Sequence, residues 1–294
     1  MKDQPLVSVG VSAYNRKDLL RLCLASLLSQ SYQNCEIIVV DDGSTDGTNE
    51  MMAAEFPQIR YIYQENAGDA AAKNHAAREA SGKYIVFNDS DDLFLPQAVE
   101  KLVAALPDDD DNAVSYGTYQ TIDIAGNTLP TKRKAAEFPS GRITGSLLRH
   151  ILVNSTATLI PRKLFLDNGG FDSSLRVSHD YDFFLKLSLT SCFFAVQEPV
   201  FLRRRHGGNL SAGSYDKIRV VHDVLERFIA GNQEKLRPFA GIIRKRRADI
   251  HHKLCREAGK EKRYKEAREH ALQAFKLSPG IKNFCALAKA MLKY

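Results

Sequence analysis

Tyr84-Ile85-Val86-Phe87, followed after Asn88 by Asp89-Ser90-Asp91-Asp92, decides how this chain is read. The apolar run is β-branched and aromatic and follows Ser81-Gly82, so it reads as a short buried strand rather than a helical turn. Three carboxylates leave it at one point. In open α/β sheets ligands bind just beyond the carboxyl ends of the strands, which gives the acidic cluster a functional address. Aspartate is a hard oxygen ligand suited to Mg2+ or Mn2+, and Mg2+ usually takes one or two carboxylates together with substrate phosphates. A solvated turn is the alternative, because Asp is a common turn residue. The run at residues 108–111 gives the contrast: four carboxylates after Pro107 with no strand before them, read as a solvated loop.

Working outward, residues 6–14 read as a first strand and 17–30 as a helix with Leu19, Leu20, Cys23, Leu24, Leu27 and Leu28 in one apolar stripe. Residues 36–40 form a second strand. It opens into the loop Asp41-Asp42-Gly43-Ser44-Thr45-Asp46-Gly47-Thr48, where the glycines allow unusual backbone angles and Ser44, Thr45 or Asp46 offers a helix cap. Residues 59–63 restart a strand, 70–80 form an Ala-rich helix, and Pro96 suits the first turn of a helix running to residue 106. Alternating strands and helices predict right-handed crossovers, and so an α/β fold with a mostly parallel sheet and helices on both faces. Tyr14-Asn15, Asp41-Asp42 and the carboxylates at 89–92 then converge on one crevice.

Beyond residue 112 the pattern loosens, with strands expected at 113–120, 157–161 and 193–196 and a helix at 180–190. From residue 215 it is helical, at 218–230, 238–258, 262–276 and 281–293, and the last two helices resemble one tetratricopeptide-type hairpin through Ala267, Ala271, Ala274 and Pro279. Charge divides at the same place. Residues 214–294 carry 20 Lys and Arg against 9 Asp and Glu, a net +11, which leaves −5 for residues 1–213. The expected organisation is a catalytic domain at 1–213 and a basic helical region at 214–294.

A chain of 294 residues with 44% hydrophobic content buries a full core. No run approaches the length of a membrane span, and Met1-Lys2-Asp3-Gln4-Pro5 lacks the apolar core of a signal peptide, so the expected setting is the cytoplasm. Five scattered cysteines, Cys23, Cys35, Cys192, Cys255 and Cys285, suggest buried free thiols rather than disulfides or a zinc site. Lys and Arg beside apolar helical faces, such as Ile242-Ile243 or Ala288, Met291 and Leu292, suit an anionic membrane surface, so a peripheral position at the inner face of the plasma membrane is part of the expectation. A solvated helical face weighs equally against it.

These motifs, in this order, resemble the inverting glycosyltransferases of family 2, which have the GT-A, Rossmann-like nucleotide-diphospho-sugar transferase fold. Residues 7–16, the loop at 41–48, Asn66, Gly68 and Asn74, the Asp-x-Asp of Asp89-Ser90-Asp91, Gly169-Gly170-Phe171-Asp172, His179-Asp180-Tyr181-Asp182 and the stretch at 203–211 carry the resemblance, over roughly the first 213 residues. It implies a hexosyl- or N-acetylhexosaminyltransferase that takes a UDP-sugar and uses Mn2+ or Mg2+. Donor contacts fall to Tyr14, Asn15, Arg16, Asp41, Asp42, Asn66, Gly68, Lys73, Asp89 and Ser90. Asp91 and His206 become the metal ligands, and Asp180 the base for an acceptor hydroxyl. Gly170, Phe171, His179 and Asp182 lie on the acceptor side. The implied acceptor is a glycan, polyol or lipid-linked hydroxyl, in bacterial surface polysaccharide synthesis.

Four positions depart from the family's usual pattern: Ser12-Ala13 for Pro-Thr, Lys73 for Arg, and His179 for Glu beside the presumed base. The last removes a negative neighbour and bears on acceptor geometry. A nucleotidyltransferase is disfavoured because Ala13-Tyr14-Asn15-Arg16 holds no glycine-rich phosphate loop. A non-catalytic binder of nucleotide sugar or nucleic acid is the other alternative. The acidic motifs are intact, and Arg244-Lys245-Arg246-Arg247 comes without a nucleic-acid recognition motif, so no nucleic-acid partner is expected.

Overall fold

The run around Val86 forms a strand, β4 (Tyr84–Asp89), buried along its length except at Asp89. A computed structural model describes residues 4–108, 110–130, 138–207 and 214–293. The chain divides into two units: Met1–Ile143 with Leu152–Asn209, and Thr144–Ile151 with Leu210–Tyr294.

In the first unit β1 (Val7–Ala13), α1 (Lys17–Leu28), β2 (Cys35–Asp41), α2 (Thr48–Glu55), β3 (Arg60–Tyr63) and α3 (Asp69–Glu79) alternate up to β4. Strands β3, β2, β1 and β4 lie side by side and are parallel. Then follow β5 (Leu93–Phe94), α4 (Ala98–Ala104), β6 (Ala113–Ile122), β7 (Thr158–Pro161), α6 (Arg162–Asp167), α7 (His179–Leu187) and β8 (Cys192–Arg204). They extend the sheet in the order β4-β7-β6-β8-β5, with β7 antiparallel to both neighbours and β5 antiparallel to β8. The sheet is therefore parallel in its first half and mixed in its second.

The α1 stripe packs as its spacing demands. Leu20, Cys23, Leu24 and Leu27 are buried against Val7, Val9 and Val11 of the central strand, each leucine contributing roughly 2 kcal/mol. The expectations were too short at β8 and missed several short elements, among them β5 and α6. β8 runs for 13 residues rather than four, because the sheet register shifts opposite Gly117-Thr118-Tyr119 and so carries the strand past Gln197-Glu198-Pro199, an interruption that reads as an end in sequence. The six-residue α6 is too short to show a periodic stripe. The acidic run before β6 is a turn as expected where it is described: Asp108 and Asp111 are exposed, and Asp110 accepts from Asn112 N at 2.9 Å.

The second unit holds α5 (Thr144–Arg149), α8 (Tyr215–Gly231), α9 (Gln233–Leu236), one 3-10 turn (Arg237–Phe239), α10 (Ala240–Lys260), α11 (Tyr264–Leu277) and α12 (Ile281–Lys293). Ala267, Ala271 and Ala274 are fully buried on α11, small side chains that let its neighbours α10 and α12 come close. Ile243 is buried and Ile242 half-buried, so α10 does not offer the outward apolar face expected of it. All five cysteines are free, but only Cys23 is buried as expected; Cys35, Cys192 and Cys255 are half-buried and Cys285 is exposed on α12. No helix among the described residues is long and apolar enough to cross a membrane.

Candidate active site

Strands β1, β2 and β4 end together, with Ala13 opposite Asp41 and Ser12 opposite Asp89. Asn15 sits at φ +50°, a left-handed conformation that Asn tolerates, and ties two of the loops together. Its amide donates to Ser44 Oγ at 2.9 Å, and its Oδ1 accepts from Thr45 N at 2.8 Å. Tyr14 beside it is exposed. Asp46 accepts from Lys17 N, in the first turn of α1, at 2.9 Å and from Thr48 Oγ1 at 2.6 Å. Burial opposes its ionisation, but these donors prevail and hold the carboxyl below its ordinary range.

Asp41 and Asp42 are both buried and held by the chain's own donors. Asp41 accepts from Ser44 N at 2.8 Å and Tyr61 OH at 2.6 Å. Asp42 accepts from Gln64 Nε2 at 2.7 Å and from the Ala67 and Gly68 amides at 2.8 Å each. Asn66 donates to the Asp42 carbonyl at 2.9 Å. Gly68 has φ +94°, where a side chain would be strained, and its amide reaches Asp42 in this conformation.

The carboxylates after β4 meet charged side chains instead. Asp89 accepts from Lys73 Nζ at 2.6 Å. Asp91 Oδ2 accepts from an Arg16 guanidinium nitrogen and lies 2.8 Å from His206 Nε2; the same guanidinium nitrogen is 3.3 Å from that ring nitrogen. Asp92 accepts from Arg204 N at 2.9 Å, which braces the turn against β8, and Ser90 is buried in the same turn. Arg204 is itself buried and donates to the carbonyls of Asp91, Asp123 and Ile124, so it is a structural residue rather than basic surface. Burial and the neighbouring carboxylates push Asp92 well above its ordinary range. Burial, with Asp69 and Asp91 nearby, also pushes Asp89 up against the pull of Lys73. A cavity of about 500 Å³ opens alongside, lined by Asn15, Arg16, Lys17, Asp46 and His206 among others.

Asp69, which nothing in the sequence singles out beyond its place four residues before Lys73, is the hub behind these groups. It accepts from Ser12 Oγ and from Lys73 Nζ, the latter at 2.9 Å. Lys73 is almost completely buried and donates its three protons to Asp69, Asp89 and Ser155 Oγ, the last at 2.9 Å. Burial disfavours its charge, but the two carboxylates prevail and hold it protonated, well above the ordinary lysine value. Burial likewise opposes ionisation of Asp69, and Lys73 and His179 overcome it, bringing the carboxyl down to about 2.

His179 Nε2 lies 3.3 Å from Asp69 without the alignment of a hydrogen bond, and its ring meets Phe171 edge-on. Asp180 stands in the first turn of α7, half-buried, with Oδ1 accepting from Tyr181 N at 2.7 Å. Of the four residues expected on the acceptor side, three have buried side chains. Phe171 is buried among Phe87, Phe165 and Phe183, and Asn74 clamps its backbone at both polar atoms. His179 is buried, and Asp182 turns inward with Lys186 donating to it at 2.6 Å. These side chains hold the first turn of α7 in place. Gly170 alone of the four is not buried; it sits at φ +65°, and a Cβ there would meet Asn74 Oδ1 at 2.6 Å. Asn209 lies outside the described residues.

A family model described as "Glycosyl transferase family 2" matches residues 8–167. The chain belongs to that family. An uncharacterised glycosyltransferase of Rickettsia prowazekii (strain Madrid E) is 31% identical over 228 residues, covering 76% of this chain and 72% of that one. Chondroitin synthase of Escherichia coli is 32% identical over 235 residues, covering 77% of this chain, which spans 34% of that much longer protein. Among solved structures, TarS residues 1–349 of S. aureus in complex with UDP-GlcNAc matches at a TM-score of 0.60 and 17% identity, covering 98% of this chain and 91% of that one. Mannosyltransferase PcManGT from Pyrobaculum calidifontis, in complex with GDP-Man and Mn2+, matches at 0.60 and 18% identity, covering 100% and 82%. This glycosyltransferase thus has the GT-A fold; Asp180 and His206 lie beyond the stretch matched by the family model.

The donor set of the glycosyltransferase suits a divalent cation. Oxygens of Asp89, Asp91 and Asp92 lie within 4.8 Å of one another. Neighbouring ligands of an octahedral ion with bonds of ~2.1 Å stand ~3 Å apart, and Asp91 Oδ2 and His206 Nε2 are 2.8 Å apart. Asp91 and His206 therefore fit as ligands. Asp92 is the poorer one, since one of its oxygens is committed to Arg204 N.

Proposed function

We propose that this glycosyltransferase is a metal-dependent inverting enzyme. It moves a sugar from a nucleoside-diphosphate donor, in this reading a UDP-sugar, to a hydroxyl of a glycan, polyol or lipid-linked acceptor during bacterial surface polysaccharide synthesis in the cytoplasm. The observation that carries the proposal is Asp91 and His206 at ligand spacing beside Asp89, at the carboxyl end of the central strand. The UDP-GlcNAc of TarS, the Mn2+ of PcManGT and the name of chondroitin synthase support the donor, metal and product classes.

In the reaction the acceptor oxygen bonds to the anomeric carbon as the bond to the diphosphate oxygen breaks, and Asp180 takes the hydroxyl proton. A bound divalent cation supplies charge against the departing diphosphate. Lys73 favours the ionised forms of Asp69 and Asp89 and holds Asp89 in one orientation. Arg16 carries a positive charge paired with Asp91 at the site. His179 and Asp182 fix the helix turn from which Asp180 projects.

Calorimetric titration with UDP, with and without Mn2+, tests the donor side: UDP binds at least tenfold more tightly with the metal. If neither UDP nor another nucleoside diphosphate binds, the proposal fails. Asp180→Asn leaves UDP binding intact and abolishes sugar transfer; full transfer by that variant reassigns the base.

A further inference from the structure

The last helix presents an apolar face outward. On α12, Ile281 is 86%, Phe284 58% and Met291 63% exposed, and Cys285 is exposed as well. The buried Asn283 and Ala290 lie on the opposite side. Ile281, Phe284, Ala288 and Met291 follow one another at spacings of three, four and three, which puts them on one face of a helix. The usual amphipathic pattern, apolar face inward, is therefore supplemented on α12 by a second apolar face that the described residues leave largely exposed, its one ring contact being Phe284 with Phe275 of α11, centroids 6.2 Å apart.

Charge identifies what fits this face. α12 holds no Asp or Glu, and Lys282 and Lys289, exposed and seven residues apart, form one band along its flank. The whole stretch 214–294 is basic, with a net +11. A helix with Phe and aliphatic side chains on one face and lysines beside it inserts its apolar atoms at the headgroup boundary and gains further from anionic lipid. A protein partner of ordinary composition answers the apolar face but not the absence of acidic residues.

We propose that α12 docks this protein on an anionic lipid surface, with Ile281, Phe284 and Met291 entering the headgroup layer and Lys282 and Lys289 facing the lipid phosphates. No residue of this face belongs to the candidate active site, so its test is independent of the transfer reaction.

Flotation of the full-length protein with phosphatidylcholine vesicles, with and without phosphatidylglycerol, tests it. The protein floats with the anionic vesicles, stays behind with the neutral ones, and is released by high salt. The double variant Ile281→Asp/Phe284→Asp, which alters exposed positions only and keeps the wild-type melting temperature, lowers the bound fraction at least tenfold. Lys282→Glu/Lys289→Glu lowers it severalfold. The proposal is overturned if wild type does not float, if the aspartate variant floats equally well, or if sedimentation shows a dimer that the aspartate variant dissolves, which makes the face an interface between copies.

Discussion

Two acidic pairs stand at the ends of the parallel strands on either side of β1, and they are built in opposite ways. Asp41 and Asp42 accept from Ser44 N, Tyr61 OH, Gln64 Nε2 and the amides of Ala67 and Gly68, all of them neutral groups and most of them fixed by the backbone. Asp89 and Asp91 accept from Lys73 and Arg16, with His206 beside them. Neutral backbone donors have nowhere else to go, so the first pair shapes a loop. Lys73 is buried and stays with Asp89, but the part-exposed Arg16 can give way to another cation at Asp91, so the second pair can accept a ligand. Motifs that look alike as text, Asp-Asp and Asp-x-Asp, thus differ in what surrounds them.

Substitutions separate the two. Asp91→Ala removes the one oxygen that Arg16 and His206 share, and Mn2+-dependent UDP binding falls by at least a hundredfold while the melting temperature stays within a few degrees. Asp42→Ala leaves the Gln64, Ala67 and Gly68 donors without their shared acceptor and costs about 3 kcal/mol of stability. Chemical denaturation reads the second and calorimetry the first. If Asp42→Ala abolishes UDP binding in a protein of unchanged stability, the distinction collapses.

Much of this was legible in the sequence because local rules agree. The strands at β1, β2 and β4, the α1 stripe and the position of the acidic cluster follow from periodicity and turn chemistry. Pairings across the fold were not legible. Asp69 reads as an ordinary helix-start residue, and only the packing of α3 under the sheet ends brings it to Ser12 and His179, 57 and 110 residues away. Phe171 and His179 belong to recognisable motifs, yet their burial depends on Phe87 and Phe165, which no spacing predicts. The outward face of α12 was legible as composition, but that it points outward is a fact of packing.

Arg16 sharpens the comparison further. A guanidinium and a divalent ion repel each other when they share Asp91, by a few kcal/mol at the effective dielectric of a largely buried site near the surface. Arg16→Gln therefore tightens Mn2+ binding to the nucleotide-free protein, by about tenfold, or ~1.4 kcal/mol. It weakens binding of UDP, which loses a positive partner for its phosphates. Calorimetry with Mn2+ alone decides this; unchanged or weaker metal binding shows that Arg16 orients Asp91 rather than competing for it.

The smallest expected effect concerns Asp92, the carboxylate of the second group that behaves most like the first. Its acceptor bond from Arg204 N survives in Asp92→Asn, while the buried charge next to Asp89 and Asp91 disappears. Because burial raises the folded-state pKa above the unfolded value near 3.8, the protonated form favours folding. That contribution is complete below pH 3.8 and is lost as pH rises through the folded pKa. The Asp92→Asn side chain mimics the protonated state at every pH, so the variant matches wild type at low pH and melts higher at pH 7. At Asp42 the same change has the opposite sign, since an amide offers one acceptor oxygen where three donors converge. Melting curves of Asp42→Asn and Asp92→Asn across pH 4 to 7 that move in the same direction mean that the two acidic groups are not built differently after all.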